Sequence, residues 1–267
     1  MHIESLLRFG SLLLRFRNGW TLVQAMRSGQ PCGELVLWDG TRIVHPPGRG
    51  GLVEIVSEIW IEQVYTRGFY RPADGDVIVD AGANIGLFAI MMARANRNCR
   101  IVALEPFREN FEFLQANVAR ACPGNVVCQR TALGAASGRG SMKAVGSRSL
   151  DHRLEADSGG QDGVPVVPLS ALFELAQRSE VDFLKVDIEG AEHAVFAGVT
   201  PELAGRFRHI ALEYHDQIVP GTLALLQQVL GPTHELAVHP AAVEGVGILR
   251  ARRKEKHHRA AARNRAD

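Results

Sequence analysis

Apolar runs alternate with amphipathic stretches along most of the chain, and their spacing predicts an α/β fold. Val77-Ile78-Val79 and Ile101-Val102-Ala103-Leu104 are short, rich in β-branched residues and without polar alternation, which marks strands buried on both faces. Residues 125–131, 164–167, 181–187 and 208–212 read as further strands. Between them, residues 87–94 avoid glycine and proline. Residues 108–121 set Phe111, Leu114 and Val118 on one helical face, a short helix opened by Pro168 or Ser170 runs through 176, and residues 222–230 form another. The closing segments, 234–238 and 245–249, are too close for a parallel crossover, which needs a dozen or more residues, and so predict an antiparallel hairpin.

Upstream of the first core strand the pattern changes. Residues 3–16 place Leu6, Leu7, Leu13 and Leu14 at helical spacing, interrupted by Gly10 and studded with Arg8, Arg15 and Arg17. Such a basic amphipathic helix lies on an anionic membrane, on its own domain or on a second subunit. Asp39-Gly40 between residues 34–38 and 41–44 predicts a hairpin with a two-residue turn, expected to act as a lid or cap. Residues 46–51 break the chain, and a helix resumes over 52–65. Tyr65, Phe69 and Tyr70 then pack on the sheet or cover a cofactor, with Tyr65 the candidate cofactor contact. The organisation is an extension over 1–70, a body over 71–250 and a basic disordered tail over 251–267. Within the body, residues 134–163, rich in Gly and Ser, read as a long loop with strand character at 141–145, either a substrate cover or surface disorder.

With 46% hydrophobic residues in 267 the chain has ample core, and 30 Lys plus Arg against 29 Asp plus Glu argue against a protein built wholly for nucleic acid. Cys32, Cys99, Cys122 and Cys128 show neither a Cys-x-x-Cys pair nor zinc spacing. Free thiols, and no apolar run of the roughly 18 residues needed to span a bilayer, predict a soluble, cytoplasmic protein.

The candidate chemistry lies at strand ends. Val79-Asp80-Ala81-Gly82-Ala83-Asn84-Ile85-Gly86 is a strand that stops at an acid and breaks into a glycine turn. Gly82 and Gly86 let the backbone bend and approach a ligand that a Cβ would obstruct. Glu105, about twenty residues on, is placed to accept hydrogen bonds from ribose hydroxyls. The spacing is Gly-x-Asn-x-Gly, not the dinucleotide Gly-x-Gly-x-x-Gly. Asp80 would repel a pyrophosphate and attract a sulfonium, which points to S-adenosylmethionine. The backbone around Ala132 borders the adenine in this reading. Asp187, Glu189 and Glu192 cluster after a second apolar strand, and Glu213-Tyr214-His215 after a third.

With these residues assembled, the chain resembles the FkbM family of S-adenosylmethionine-dependent methyltransferases. The resemblance runs from about Ile61 to His215 and rests on the Asp80–Gly86 turn, Leu104-Glu105-Pro106, Asn117, Ala132-Leu133, the run Phe183-Leu184-Lys185-Val186-Asp187-Ile188-Glu189-Gly190-Ala191-Glu192 and Glu213-Tyr214-His215. It implies a Rossmann-like class I methyltransferase fold: a mostly parallel seven-stranded sheet with a reversed C-terminal strand and helices on both faces. It also implies methyl transfer, usually to oxygen, on a small molecule or glycan. Leu169-Ser170 departs from the Leu-Asp expected there.

Asp80, Gly82, Asn84, Gly86, Glu105, Ala132 and Tyr65 are thus the expected cofactor contacts. His215 is the preferred general base because its ordinary pKa is near neutrality, with Asp187 and Glu189 as alternatives. Asp187, Glu189, Glu213 and His215 are also a candidate set for a divalent cation, magnesium or calcium rather than zinc. The competing readings are an NAD-linked oxidoreductase, and a non-catalytic cofactor- or nucleic-acid-binding protein suggested by the basic tail. The acceptor and the oligomeric state leave no mark in the sequence.

Overall fold

The structure is a computed structural model and describes residues 3–144, 152–156 and 163–255. Two helices, α1 (Ile3–Arg15) and α2 (Gly19–Ser28), precede the hairpin β1 (Glu34–Val36) and β2 (Arg42–Val44). A short helix α3 (Leu52–Val56) runs directly into a π-helix, Ser57–Glu62. The body continues with β3 (Val77–Ala81), α4 (Leu87–Ala95), β4 (Arg100–Leu104), α5 (Arg108–Ala121) and β5 (Val126–Gln129). Next come β6 (Ala132–Leu133), β7 (Gly138–Ala144), β8 (His152–Ala156) and β9 (Val164–Val167), then a 3-10 turn, Leu169–Ala171, leading into α6 (Leu172–Ala176). The chain closes with β10 (Val181–Val186), α7 (Glu192–Phe196), α8 (Pro201–Ala204), β11 (Phe207–His215), α9 (Thr222–Leu230), β12 (His234–Pro240) and β13 (Val246–Arg253).

The central sheet has seven strands in the order β12-β13-β11-β10-β3-β4-β5. Its strands run parallel except β13, which is antiparallel to both neighbours, so the closing hairpin reverses the final strand as the sequence predicts. Successive strand residues face opposite layers. Ile78, Ile101, Ala103 and Phe183 pack with the N-terminal elements, α4 and α5, whereas Val77, Val79, Val102 and Leu184 pack with α6, α7 and α9. Phe69 and Tyr70 serve as packing residues, Tyr70 stacking on Phe183 at 4.4 Å between ring centroids.

Four local expectations are corrected. The hairpin turn holds three residues, with Gly40 alone at positive φ (85°) and its N–H bonded to the Leu37 carbonyl, a type I turn closed by a glycine bulge. The hairpin packs on α5 through paired Val44–Asn117 hydrogen bonds and lines neither cleft of the site described below, so it is a buttress and not a lid. The strand character expected from 141 is present and begins earlier, at 138, but the segment is not the long loop expected: residues 138–144 and 152–156 are strands, and with β6 and β9 they build a second, four-stranded sheet in the order β6-β9-β7-β8. Finally, β13 carries regular structure through Arg253, beyond the boundary placed at 250. Arg250 grips the Val64 and Arg67 carbonyls and Arg252 that of Phe69. The rest of the basic tail, from residue 256, lies outside the described residues.

Candidate active site

At the end of β3 the backbone passes through positive φ at Gly82 (78°), Asn84 (50°) and Gly86 (93°). The N–H groups of Gly82 and Ala83 both donate to the Leu104 carbonyl, at 3.0 and 2.9 Å, which pins the turn to the end of β4. A Cβ at Gly82 would collide with the Asp187 carbonyl oxygen, and one at Gly86 would come within 2.8 Å of Leu114. Backbone conformation and neighbouring protein therefore require these glycines, as expected for a tight bend, and Gly82 also lines the cleft described next.

Glu105 is the hub of the cofactor side. Its carboxylate accepts from Asn84 N at 2.7 Å and from Phe107 N at 2.9 Å. It is buried, and burial pushes its pKa up to about 7 against the pull of those two N–H donors. It lines a cleft with Gly82, Asn84, Pro106, Ala132 and Asp187. Met142, on β7, closes one side, so the segment read as a loop supplies a wall. The apolar Leu104, Pro106 and Leu133 suit a flat base, and Glu105 suits ribose hydroxyls, so the residues present fit an adenosyl cofactor.

Asp80 does not reach this cleft. It is fully buried beneath the turn, where Lys185 Nζ lies 3.2 Å from Asp80 Oδ1, 2.9 Å from the Gly82 carbonyl and 3.5 Å from Asp187 Oδ2. Burial lowers the lysine's pKa, but the two carboxylates outweigh it and raise it overall. Lys185 thus takes up the Asp80 charge that was expected to face a sulfonium. Its signal in the sequence was a charge set between the apolar Leu184 and Val186 inside the strand.

Tyr65 joins the acids instead of lining the cofactor cleft. Its hydroxyl is 3.1 Å from Asp187 Oδ2 and 3.3 Å from Glu213 Oε2. Burial, then the Asp187 charge, push Glu213 up to about 9. The Tyr65 O–H is within donating distance of both carboxylates, nearer Asp187.

His215 Nδ1 lies 3.2 Å from Glu192 Oε1, and Nε2 lies 3.7 Å from Glu189 Oε2. Burial alone would lower its pKa; the Glu192 hydrogen bond and charge, with Glu213 and Glu189, raise it to about 9. The premise of a near-neutral imidazole fails: at pH 7 His215 is a buried cation in a pair with fully buried Glu192. Glu192 also accepts from the N–H groups of Ile188 and Gly190 and so holds the 187–190 loop, where Glu189 sits at φ 53°. The proposed cation set is likewise corrected. Among the described residues no group of three or more His, Cys, Asp or Glu side chains is arranged to hold a metal ion. Asp187 and Glu213 share Tyr65, and Glu189 flanks the His215–Glu192 pair.

Sequence reasoning missed Glu58. It lies on the π-helix and lines a second, narrow cleft with Tyr65, Gly82, Asn84, Lys185 and Asp187. Its side chain is open to solvent yet largely surrounded by protein, and burial, then the Asp187 charge, raise its pKa to about 7. The two clefts meet at Gly82, Asn84 and Asp187. Ser170, where the sequence departs from expectation, is exposed and lines neither cleft.

A seven-stranded sheet with one reversed strand inserted next to last, and an adenosyl-type cleft at the ends of its first two core strands, define a class I S-adenosylmethionine-dependent methyltransferase fold. The model of the Methyltransferase FkbM domain matches residues 80–231, and the chain belongs to that family. It is 26% identical over 212 residues to the 31-O-demethyl-FK506 methyltransferase FkbM of Streptomyces tacrolimicus, covering 68% of this chain and 81% of that one. It is 27% identical over 201 residues to the AMB antimetabolite synthetase AmbE of Pseudomonas aeruginosa, covering 61% of this chain but only 9% of AmbE. Among solved structures, a methyltransferase from Pyrococcus furiosus aligns over 89% of this chain and 98% of its own, with a TM-score of 0.44 at 15% identity.

Proposed function

We propose that the protein transfers a methyl group from S-adenosylmethionine to a hydroxyl oxygen of a small molecule or glycan. The observation that carries this reading is the cleft beside the Asn84 turn, where Glu105, the apolar Leu104, Pro106 and Leu133, and Asp187 line one space that suits an adenosyl group next to the acids. S-adenosylmethionine, when bound, supplies an electrophilic methyl carbon on a sulfonium. Glu105 orients the ribose, and the Asn84 turn holds the reacting end near Asp187. Glu58, whose pKa burial raises, accepts the proton that the acceptor hydroxyl loses as its oxygen would bond to the methyl carbon and the carbon–sulfur bond would break, leaving the thioether product. The Streptomyces relative's name, a methyltransferase of a 31-O-demethyl compound, supports the oxygen-directed reading.

Calorimetric titration with S-adenosylmethionine and, separately, with NAD tests the cofactor. Binding of the sulfonium ligand alone, weakened in Glu105→Gln, is expected, and binding of NAD alone overturns the proposal. A screen of hydroxylated acceptors with methyl-labelled cofactor then tests the oxygen-directed step. Methyl recovered on nitrogen or carbon would refute it.

A further inference from the structure

The N-terminal elements carry a surface that neither cleft uses. One face of α1 is core: Leu12 and Phe16 are buried, and Phe16 packs on Trp60. The other face is apolar and open. Leu7 (67% exposed) and Leu14 (80%) lie two turns apart on it, beside Leu13. Trp38, at the hairpin tip, is brought against the end of α1 by its Nε1 hydrogen bond to the Leu14 carbonyl (2.9 Å) and is 63% exposed; Trp20, opening α2, is 59% exposed. Among the described residues, five of the six large exposed apolar side chains fall between residues 7 and 38, the sixth being Val243. Scattered exposed leucines need no explanation, whereas this concentration does.

The charge around it is one-sided. Residues 1–30 contain four arginines, Arg8, Arg15, Arg17 and Arg27, and one acid, Glu4. The nearby acids of the hairpin are engaged, Asp39 by Arg94 and Glu34 by Arg42, and Arg8 pairs with Glu62. Arg15, Arg17 and Arg27 are exposed and have no acidic partner among the described residues.

We propose that this face docks on an anionic lipid bilayer, with Leu7, Leu14, Trp20 and Trp38 at the headgroup boundary and Arg15 and Arg17 against lipid phosphates. Exposed leucines with flanking tryptophans and arginines fit an interfacial helix. Among the described residues no helix is long and apolar enough to cross a membrane, so the mode is surface docking. A two-fold contact with a second copy would set Arg15 and Arg17 of both protomers close together, which like charge opposes. A phosphate backbone alone would leave Leu7 and Leu14 in water. A third cleft is lined by Arg8, Ala25 and Met26 as well as by Glu58, which would bring the acceptor side of the site close to the docked face. That last placement rests on the function proposed above, whereas the docking itself does not.

The test is sedimentation of the full chain with vesicles of phosphatidylcholine alone or with 30 mol% phosphatidylserine, read together with tryptophan emission. Trp60 is half-buried and bonded to the Leu87 carbonyl, so a blue shift reports Trp20 and Trp38. The expected result is at least tenfold stronger partitioning onto the anionic vesicles with a blue shift. Leu7→Ser/Leu14→Ser should abolish both while leaving S-adenosylmethionine binding and melting temperature unchanged, and Arg15→Gln/Arg17→Gln should abolish the anionic preference. No partitioning by the native chain overturns the proposal. Equal partitioning by the leucine variant also overturns it, since binding would then come from the basic tail. Concentration-dependent dimers lost in the leucine variant, without vesicle binding, would make the face a contact between copies.

Discussion

At the end of β4 one carboxyl, Glu105, orders two backbone N–H groups and still lines an open cleft. At the ends of β10 and β11, Lys185, Asp187, Glu189, Glu213 and His215 engage Asp80, Tyr65, Glu192 and one another. Both regions are acidic strand ends on the same edge of the same sheet, the edge where ligands of open α/β sheets bind. They differ in how much of their hydrogen-bonding capacity the protein consumes. An acid whose partners are backbone amides keeps lone pairs for a ligand, whereas acids neutralised by a buried lysine, phenol or imidazolium serve chiefly to hold the loops that shape the site.

The comparison breaks most severely at Lys185. Lys185→Met leaves Asp80 and Asp187 without their buried counter-charge and should destabilise the fold by about 3–5 kcal/mol, measured by urea unfolding. If stability were unchanged, the β10 side would not be a structural network. Glu105→Gln should do the reverse: little change in the urea midpoint and a loss of about 1.5–3 kcal/mol in cofactor binding, some 10- to 150-fold by calorimetry.

A pH series sharpens the contrast. On the proposed role of Glu105 as a carboxylate acceptor for ribose hydroxyls, affinity should fall by up to about tenfold per pH unit below its pKa of about 7. His215 is raised to about 9, so its contribution to stability is complete below its unfolded value near 6.5 and is lost as pH rises through 9. Glu213, also raised to about 9, acts in the same direction. Unfolding free energy should therefore decline between pH 7 and 9.5, with a shallower decline in His215→Gln. The smallest expected effect is Tyr65→Phe, which removes the hydroxyl between Asp187 and Glu213 at a cost of about 1 kcal/mol, detectable as a few degrees in melting temperature.

Much of the scaffold was legible because it is local. The helices over 108–121 and 222–230 follow from apolar spacing within each segment, and the closing hairpin from the short separation of its strands. Strand character was legible at 141–145, but not the start of that strand at Gly138 nor the strand over 152–156, which lie in a stretch rich in glycine and serine. Pairing with β9, and through it β6, makes them a sheet. The π-helix escaped for a related reason: residues 52–62 read as one continuous helix, and the register shift that aims Glu58 at Asp187 leaves no pattern of its own.

By itself the sequence determined the strands of the central sheet in chain order, the glycine turn after Asp80, the acid after β4 and the family that these residues mark. Only the tertiary structure decided which acids remain available to a ligand. Asp80 meets Lys185 across 105 positions, Tyr65 meets Glu213 across 148, and His215 meets Glu192 from a neighbouring element. Charge state and accessibility are set by whatever the fold packs around a group, and those neighbours come from distant parts of the chain.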